Sequence, residues 1–298
     1  MAHELGKDAL TDFSHRCSPR TFTQPQLFAC LVLKEFLRLD YRGVSQLLAD
    51  CTDLRRAIAL RRVPHFTTLQ KAADRLLRKP PVERLLDVTV SRCRRAKLLP
   101  PRVALAALDA SGVESRHVSQ YFLKRMGCHR WDGDLERRYA RHPKLALACD
   151  CATHLILSCA TARGPSPDDP HFAPLLLKAA ARARVRAAVA DAGFDAEAAH
   201  RLARAVLGVR SVIPPTRGRP TEKLPSGRWR RLMRRRFPRK LYGQRWQVET
   251  VFSVIKRRLG AALSARSARR QDRQMRLRVL THNVMILRRG VFYRAGHS

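Results

Sequence analysis

Acidic residues are scarce in this chain: 24 Asp and Glu stand against 60 Lys and Arg over 298 residues, a formal charge of +36. Such an imbalance works against compaction through self-repulsion, so a polyanion is the natural partner and an anion-rich surface function is excluded. Most of the basic residues are Arg, whose planar fork suits phosphate and guanine edges better than a Lys point charge. Long apolar runs are missing as well. No stretch approaches about 18 uninterrupted apolar residues, so no membrane span is expected. The opening MAHELGKDALTDF lacks the basic-then-apolar layout of a secretory signal, and a cytoplasmic, nucleoid-associated location is expected. The eight cysteines are scattered, with no Cys-x-x-Cys and no paired His spacing, which argues against zinc and for reduced thiols. Neither a 20–50-residue repeat nor a sustained heptad run is present.

The apolar content, 45%, suffices for a sizeable core. Residues from about 22 to 98 read as helical: 24–39 carries an apolar-periodic stripe, and 43–49 follows a Tyr-Arg-Gly break. Thr67 and Thr68 are N-cap candidates for a helix over 70–78 that stops at Pro80-Pro81, and a further helix spans about 82–98. This module, about 1–100, reads either as a DNA-contacting domain, such as a helix-turn-helix, or as a helical cap that packs on the next domain. After Pro101 the character changes. Runs at 103–108, 118–122, 145–151 and 154–159 read as strands, 164–170 as a loop, and 175–187 as an Arg-rich helix. The stretch 185–190 fits either the end of that helix or a strand; 196–206 reads as helix and 209–213 as strand. Residues 101–298 therefore read as one mixed α/β domain. The stretch 216–240, crowded with Arg, Lys, Pro and Gly, reads as a mobile or DNA-ordered insertion. From Gln244 a strong helix resumes, with Val248, Phe252, Ile255 and Leu259 on one stripe.

Three acids stand out by position. Asp109 follows the apolar run 103–108, Asp191 follows 185–190 and precedes a glycine, and Glu249 lies beside the apolar stripe of the late helix. Phosphodiester chemistry needs such a set, because carboxylate oxygens hold two divalent ions about 4 Å apart across the reacting phosphate. In Tyr242-x2-Arg245-x3-Glu249-x6-Lys256 the helical spacing brings Arg245, Glu249 and Lys256 toward one face. For any one of these acids an ordinary salt bridge is the competing reading. Glu114, Asp150, Asp168, Asp169 and Asp195 are taken as structural or as supports behind the site residues, and His117 and His154 as packed or hydrogen-bonded.

The segment YGQRWQVETVFSVIKRRLG, with LALDASGVESRH and VADAGFDAEAAHRLA around the other two acids, resembles the DDE-type transposases of bacterial insertion sequences. HPKLALACDCATHLILS, GPSPDDPHFAPLL, SVIPPTRGRP and RVLTHNVMIL match that family's order in between and after. The similarity covers about residues 20–290. It implies an RNase H-like catalytic domain over 101–298, preceded by the small all-helical domain and carrying the basic insertion. Asp109, Asp191 and Glu249 would be the catalytic, metal-binding triad for two Mg²⁺, with Mn²⁺ as a substitute. Tyr242, Arg245 and Lys256 would position DNA, and Arg231, Arg234, Arg235 and Arg257 would bind it. The interval from Asp191 to Glu249 leaves little room for the long β-rich domain of larger relatives. Double-stranded DNA, both element ends and target, is the implied partner, with a homodimer joining two ends. Two rivals remain open: a DNA-binding relic or regulator that has lost cleavage, and a related RNase H-like nuclease or resolvase.

Overall fold

A computed structural model of the protein describes residues 1–17, 19–116, 142–216 and 224–295. The chain divides into two compact units. One comprises Met1–Leu98, Ile255–Gly260 and Asp272–Ser298; the other comprises Leu99–Val254 and Ala261–Gln271. The helical module expected over 1–100 did not include the two later segments.

In the first unit six helices precede residue 98: α1 (Ala2–Ala9), α2 (Gln24–Phe36), α3 (Tyr41–Asp50), α4 (Thr52–Ala57), α5 (Phe66–Leu76) and α6 (Lys79–Arg95). Local chemistry sets their starts. Thr23 and Gln26 form a reciprocal capping box at α2, and Asp40 accepts from the Gly43 N–H at 2.6 Å to open α3. Two sequence expectations need correction. The cap of α5 is His65, not Thr67 or Thr68, so the helix starts earlier and ends at Leu76. Pro80 and Pro81 do not stop a helix; they open α6, where the missing proline N–H groups would lack partners anyway. The helices close over Phe28, Leu31, Leu69, Leu76, Leu85 and Leu86, all nearly fully buried.

The second unit begins with β1 (Arg102–Val103), β2 (Ala106–Gly112), β3 (Glu114–Ser115), β4 (Pro143–Asp150) and β5 (Ile156–Arg163), and continues with α7 (Asp169–Arg182), β6 (Arg184–Val185), β7 (Ala187–Ala190), α8 (Glu197–Arg201) and β8 (Arg210–Val212). In chain order α9 (Arg228–Arg235) and α10 (Arg239–Tyr242) come next, then α11 (Trp246–Leu259), β9 (Ala262–Leu263) and α12 (Ala268–Ala295), the end of α11 and most of α12 belonging to the first unit. The central sheet has the order β5-β4-β2-β7-β8, antiparallel across β5, β4 and β2 and parallel across β2, β7 and β8. This mixed α/β arrangement is consistent with the RNase H-like domain that the resemblance implies. All eight residues of β4 are buried, as for a strand covered on both faces. The turn into β5 is closed by Asp150, which accepts from the Thr153 N–H and hydroxyl, while His154 takes φ +61°, a region in which His is tolerated.

Other expectations shift with tertiary pairing. Asp109 does not end a strand: β2 runs on to Gly112 because Ala110, Ser111 and Gly112 pair with Ala146, Leu145 and Lys144 of β4. The ambiguous stretch 185–190 is strand, and the helix before it runs from Asp169 to Arg182. The helix expected over 196–206 is α8 followed by a wider turn over Leu202–Val206. In the expected mobile insertion, 228–235 and 239–242 are helical; residues 217–223, like the strand expected at 118–122 and His117, lie outside the described residues. The late helix begins at Trp246, after a tight turn over Gly243–Arg245, and buries Val248, Phe252, Ile255 and Leu259 as its spacing requires.

One buried ion network supports the first unit. Glu35, 2% exposed, accepts from Arg278 Nε at 2.9 Å and lies 3.2 Å from Lys34 Nζ, both partners also buried. Removing one member of such a set strands the others without compensation, which typically costs about 3–5 kcal/mol. Glu35→Gln should therefore lower denaturant stability by about 3 kcal/mol. Asp53→Asn, at the exposed Asp53–Arg56 pair, should leave it unchanged within about 0.5 kcal/mol. Chemical denaturation of the two variants measures the contrast, and equal effects would show that the network is not a stability element.

Candidate active site

Strand register brings the first two acids together. Leu108 of β2 pairs in parallel with Ala190 of β7, so Asp109 and Asp191 are the next residues along adjacent chains, roughly 5 Å apart in the hydrogen-bonding direction. The Asp191 carboxylate turns back to accept from the Gly193 N–H at 2.9 Å, opening the tight turn Ala192–Phe194. Glu249 comes from the first turn of α11, and Arg245 lies one turn before it. The Arg245 guanidinium reaches both elements, donating to Asp109 Oδ2 at 3.3 Å and to Glu249 Oε1 at 2.5 Å. The start of α11 is tied to the β4–β5 turn, where His154 Nε2 meets Gln247 Oε1 at 2.6 Å and the Cys151 thiol faces the Gln244 carbonyl at 3.9 Å.

The electrostatics come from burial and crowding. Asp109, with its side chain 15% exposed, is pushed up to about 6 by burial. The Ala110 N–H and Arg245 oppose that rise, and Asp191 and Glu249 add to it. Asp191 is raised by burial and by Asp168, against the Gly193 N–H, Arg245 and Lys144. Burial works against the Arg245 charge, but Asp109, Tyr242, Glu249 and Asp191 outweigh it and raise the guanidinium further.

Two residues of this neighbourhood escaped the sequence reading. Lys144 was not singled out, and Asp168 was taken as structural. Lys144 Nζ pairs with Asp168 Oδ1 at 2.5 Å and donates to the Ser166 carbonyl at 2.6 Å, and both charges act on Asp191. Gly193 marks the crowding: a Cβ there would meet Asp191 Oδ1 at 3.1 Å and Asp168 Oδ2 at 3.6 Å. Only the run GPSPDDP hinted at this, and nothing in the sequence paired it with Lys144.

The remaining sequence candidates are distributed. The Tyr242 ring lies 5.0 Å from Phe237, edge-on. Arg231, Arg234 and Arg235 are exposed on α9. Lys256, half-buried, and Arg257, exposed, belong to the last turn of α11, which groups with the helical unit; the Arg257 carbonyl accepts from the Arg38 guanidinium.

As donors for a metal, these groups are of the right kind. They are carboxylate oxygens, hard ligands suited to Mg²⁺ or Mn²⁺, and Asp109 is raised by burial first and by the neighbouring acids Asp191 and Glu249 after it. In this arrangement the positive charge is the Arg245 guanidinium, and among the described residues no three His, Cys, Asp or Glu close on one point that could hold an ion.

The metal-free protein offers a stability test. Because the Asp109 carboxyl is raised from 3.8 to about 6, the fold binds its proton more tightly than the unfolded chain does between those values. Its contribution is therefore full below pH 3.8 and is lost as pH rises through about 6, a change on the order of 2–3 kcal/mol. Asp109→Asn should melt several degrees above the wild type at pH 7 and lack this pH dependence. Melting curves in chelator between pH 4 and 7.5 check it; a variant less stable than the wild type at pH 7 contradicts it.

No curated protein and no solved structure matches the chain. A family profile does: the transposase DDE domain aligns with residues 83–284, a span that contains Asp109, Asp191 and the whole of α11. Since that span is well over half of its length, the chain belongs to the family of transposase DDE domains.

Proposed function

We propose that the chain is the transposase of an insertion sequence, which binds the terminal inverted repeats of its element and cuts and rejoins DNA strands. The observation that carries this reading is the parallel register of Asp109 and Asp191 beside a helix whose Arg245 bridges Asp109 to Glu249. Family membership and the charge of +36 support it from two other directions.

Asp109, Asp191 and Glu249 are the residues that would hold two Mg²⁺, or Mn²⁺ in their place; when bound, the ions activate the attacking oxygen and stabilise the leaving one. The chain's own groups divide the remaining work. Asp109 acts as a ligand only when ionised, the form that its burial disfavours. Arg245 exchanges its carboxylate partners for phosphate oxygens as DNA enters, a change that suits its bidentate fork. Tyr242 positions the backbone beside it, and Lys256 binds DNA from the helical unit. Water attacks the phosphodiester at the element end and the P–O3′ bond breaks; the freed 3′-hydroxyl then attacks a target phosphodiester in line, forming a new P–O bond as the target's own P–O3′ bond breaks and its 3′-oxygen leaves as a hydroxyl. Synapsis of two ends calls for at least a homodimer. The helical unit contributes DNA contacts, and the enzyme works at the nucleoid. No helix of the described residues is long and apolar enough to cross a membrane.

The test uses purified protein and a duplex carrying the inverted repeat that flanks the reading frame. Cleavage with Mg²⁺ and binding without cleavage in Ca²⁺ are expected. Asp191→Asn should lower cleavage by at least about 10³-fold, about 4 kcal/mol at the transition state, while end binding stays within a few-fold. Binding that never leads to cleavage would favour the relic, structure-selective cutting the resolvase. Wild-type nicking by Asp191→Asn would remove the site assignment.

A further inference from the structure

Helix α9, sequence RWRRLMRR, is a poor helix on its own terms. Eight residues fall below the length that holds in water, and Arg228, Arg230 and Arg231 crowd the positive end of the helix dipole. It forms because two acids elsewhere in the unit seat it. The Glu197 carboxylate, from the start of α8, accepts from the Trp229 and Arg230 N–H groups at 3.1 Å each, serving as a cap supplied from outside the helix. Asp195, its side chain fully buried, accepts from Arg230 Nε at 3.0 Å and Nη2 at 2.7 Å. The Arg204 and Arg228 guanidiniums both lie over the Trp229 ring, 4.8 and 4.7 Å from its centroid. Gly227, at φ +98°, lets the chain pass Glu197, whose carboxylate a Cβ would overlap.

This seating turns one face inward, with Met233 buried, and the other outward. Arg231, Arg234 and Arg235 stand at i, i+3 and i+4 and are exposed, with Arg228 and Arg236 at the two ends. Exposed guanidiniums this close repel one another, and among the described residues the one side-chain bond the face makes to its own unit is from Arg231 Nε to the Pro225 carbonyl at 3.3 Å, at the surface. From Arg228 to Arg235 the helix advances about 10 Å, over which one DNA strand presents about three phosphates. The seat is also near the reacting centre. Asp195 follows Asp191 after one tight turn, Ala192–Phe194, whose Phe194 is buried against Phe172 with ring centroids 6.2 Å apart.

We infer that α9 is a preformed clamp for the DNA backbone, and that Asp195 and Glu197 are positioning residues that fix it relative to Asp191. This rests on the reading of the chain as a DNA-cutting transposase and adds to it which surface follows the strand and what holds that surface in place.

Salt dependence separates this from a structural role, because the slope of log K against log[salt] counts phosphate contacts and does not change with the fraction of folded protein. Binding of full-length protein to the inverted-repeat duplex in Ca²⁺ is measured from 50 to 300 mM KCl, beside thermal melting. Arg231→Gln/Arg234→Gln/Arg235→Gln should lower the slope by about 2–3 with an unchanged melting temperature. Asp195→Asn, which keeps every surface arginine, should lower the slope in the same direction and slow cleavage of prebound duplex in Mg²⁺. Because Asp195 is buried, Glu197→Ala provides a second variant with the same expected slope change. A wild-type slope in the triple variant overturns the clamp. A normal slope in both Asp195→Asn and Glu197→Ala overturns the positioning role. If the wild type itself binds the duplex without salt dependence or never cleaves it, the transposase reading fails instead.

Discussion

The guanidinium of Arg245, held between Asp109 on a strand and Glu249 on a helix, is the contact on which the arrangement of the second unit depends. It joins the sheet to α11 at the place where negative charge is concentrated. Its contribution to stability is small: Glu249 is 55% exposed, and an ion pair in such a setting is worth about 0–1 kcal/mol. Asp109 moves the balance the other way, because burial and neighbouring anions raise it to about 6 despite Arg245. The cluster is thus a net cost to the fold at neutral pH. A salt bridge kept for stability would lower the acid; here the acid goes up. Unfavourable charge retained in one place is a common physical mark of a functional site.

The same scarcity of acids explains how the rest of the chain is built. With 24 acids against 60 basic side chains, acids are too few to pair every cation, and several of them sit where a cation is being buried. Glu35 holds Lys34 and Arg278. Asp168 holds Lys144, and Asp195 holds Arg230. What remains at the surface is unneutralised arginine, concentrated on elements such as α9.

How much of this was legible in the sequence depended on whether local or tertiary forces decided an element. The stripe of Val248, Phe252, Ile255 and Leu259 was legible because helical periodicity and burial coincide there. The strand through Asp109 was misjudged in extent because apolar character ends at Leu108, whereas pairing with β4 continues to Gly112. Pro80-Pro81 was read as a stop because proline breaks helix interiors, but in a first turn it costs nothing. The arginine-rich insertion looked mobile because nothing near it in sequence could seat it; its partners, Asp195 and Glu197, lie more than two dozen residues upstream. For the site, the spacing of Arg245 and Glu249 predicted a shared helix face. Lys144 carried no signal and Asp168 only that of its run GPSPDDP, since their pairing exists only after β4 and α7 have packed.

The convergence of Asp109 and Asp191 is in the end a matter of strand direction. Two strands that pair antiparallel place their carboxyl ends at opposite edges of a sheet. Asp109, inside β2, and Asp191, just after β7, lie side by side because these two strands run parallel, and a parallel pair cannot be joined by a tight turn. The chain between β2 and β7 meets that requirement with the antiparallel pair β4–β5, which extends the sheet outward, and with α7, which packs on those strands and returns the chain to the side of β2 that β4 leaves open. The first acid could not have been followed closely in sequence by the second. Their distance along the chain, which made each look like an isolated carboxylate, is what allows both to stand at the same edge.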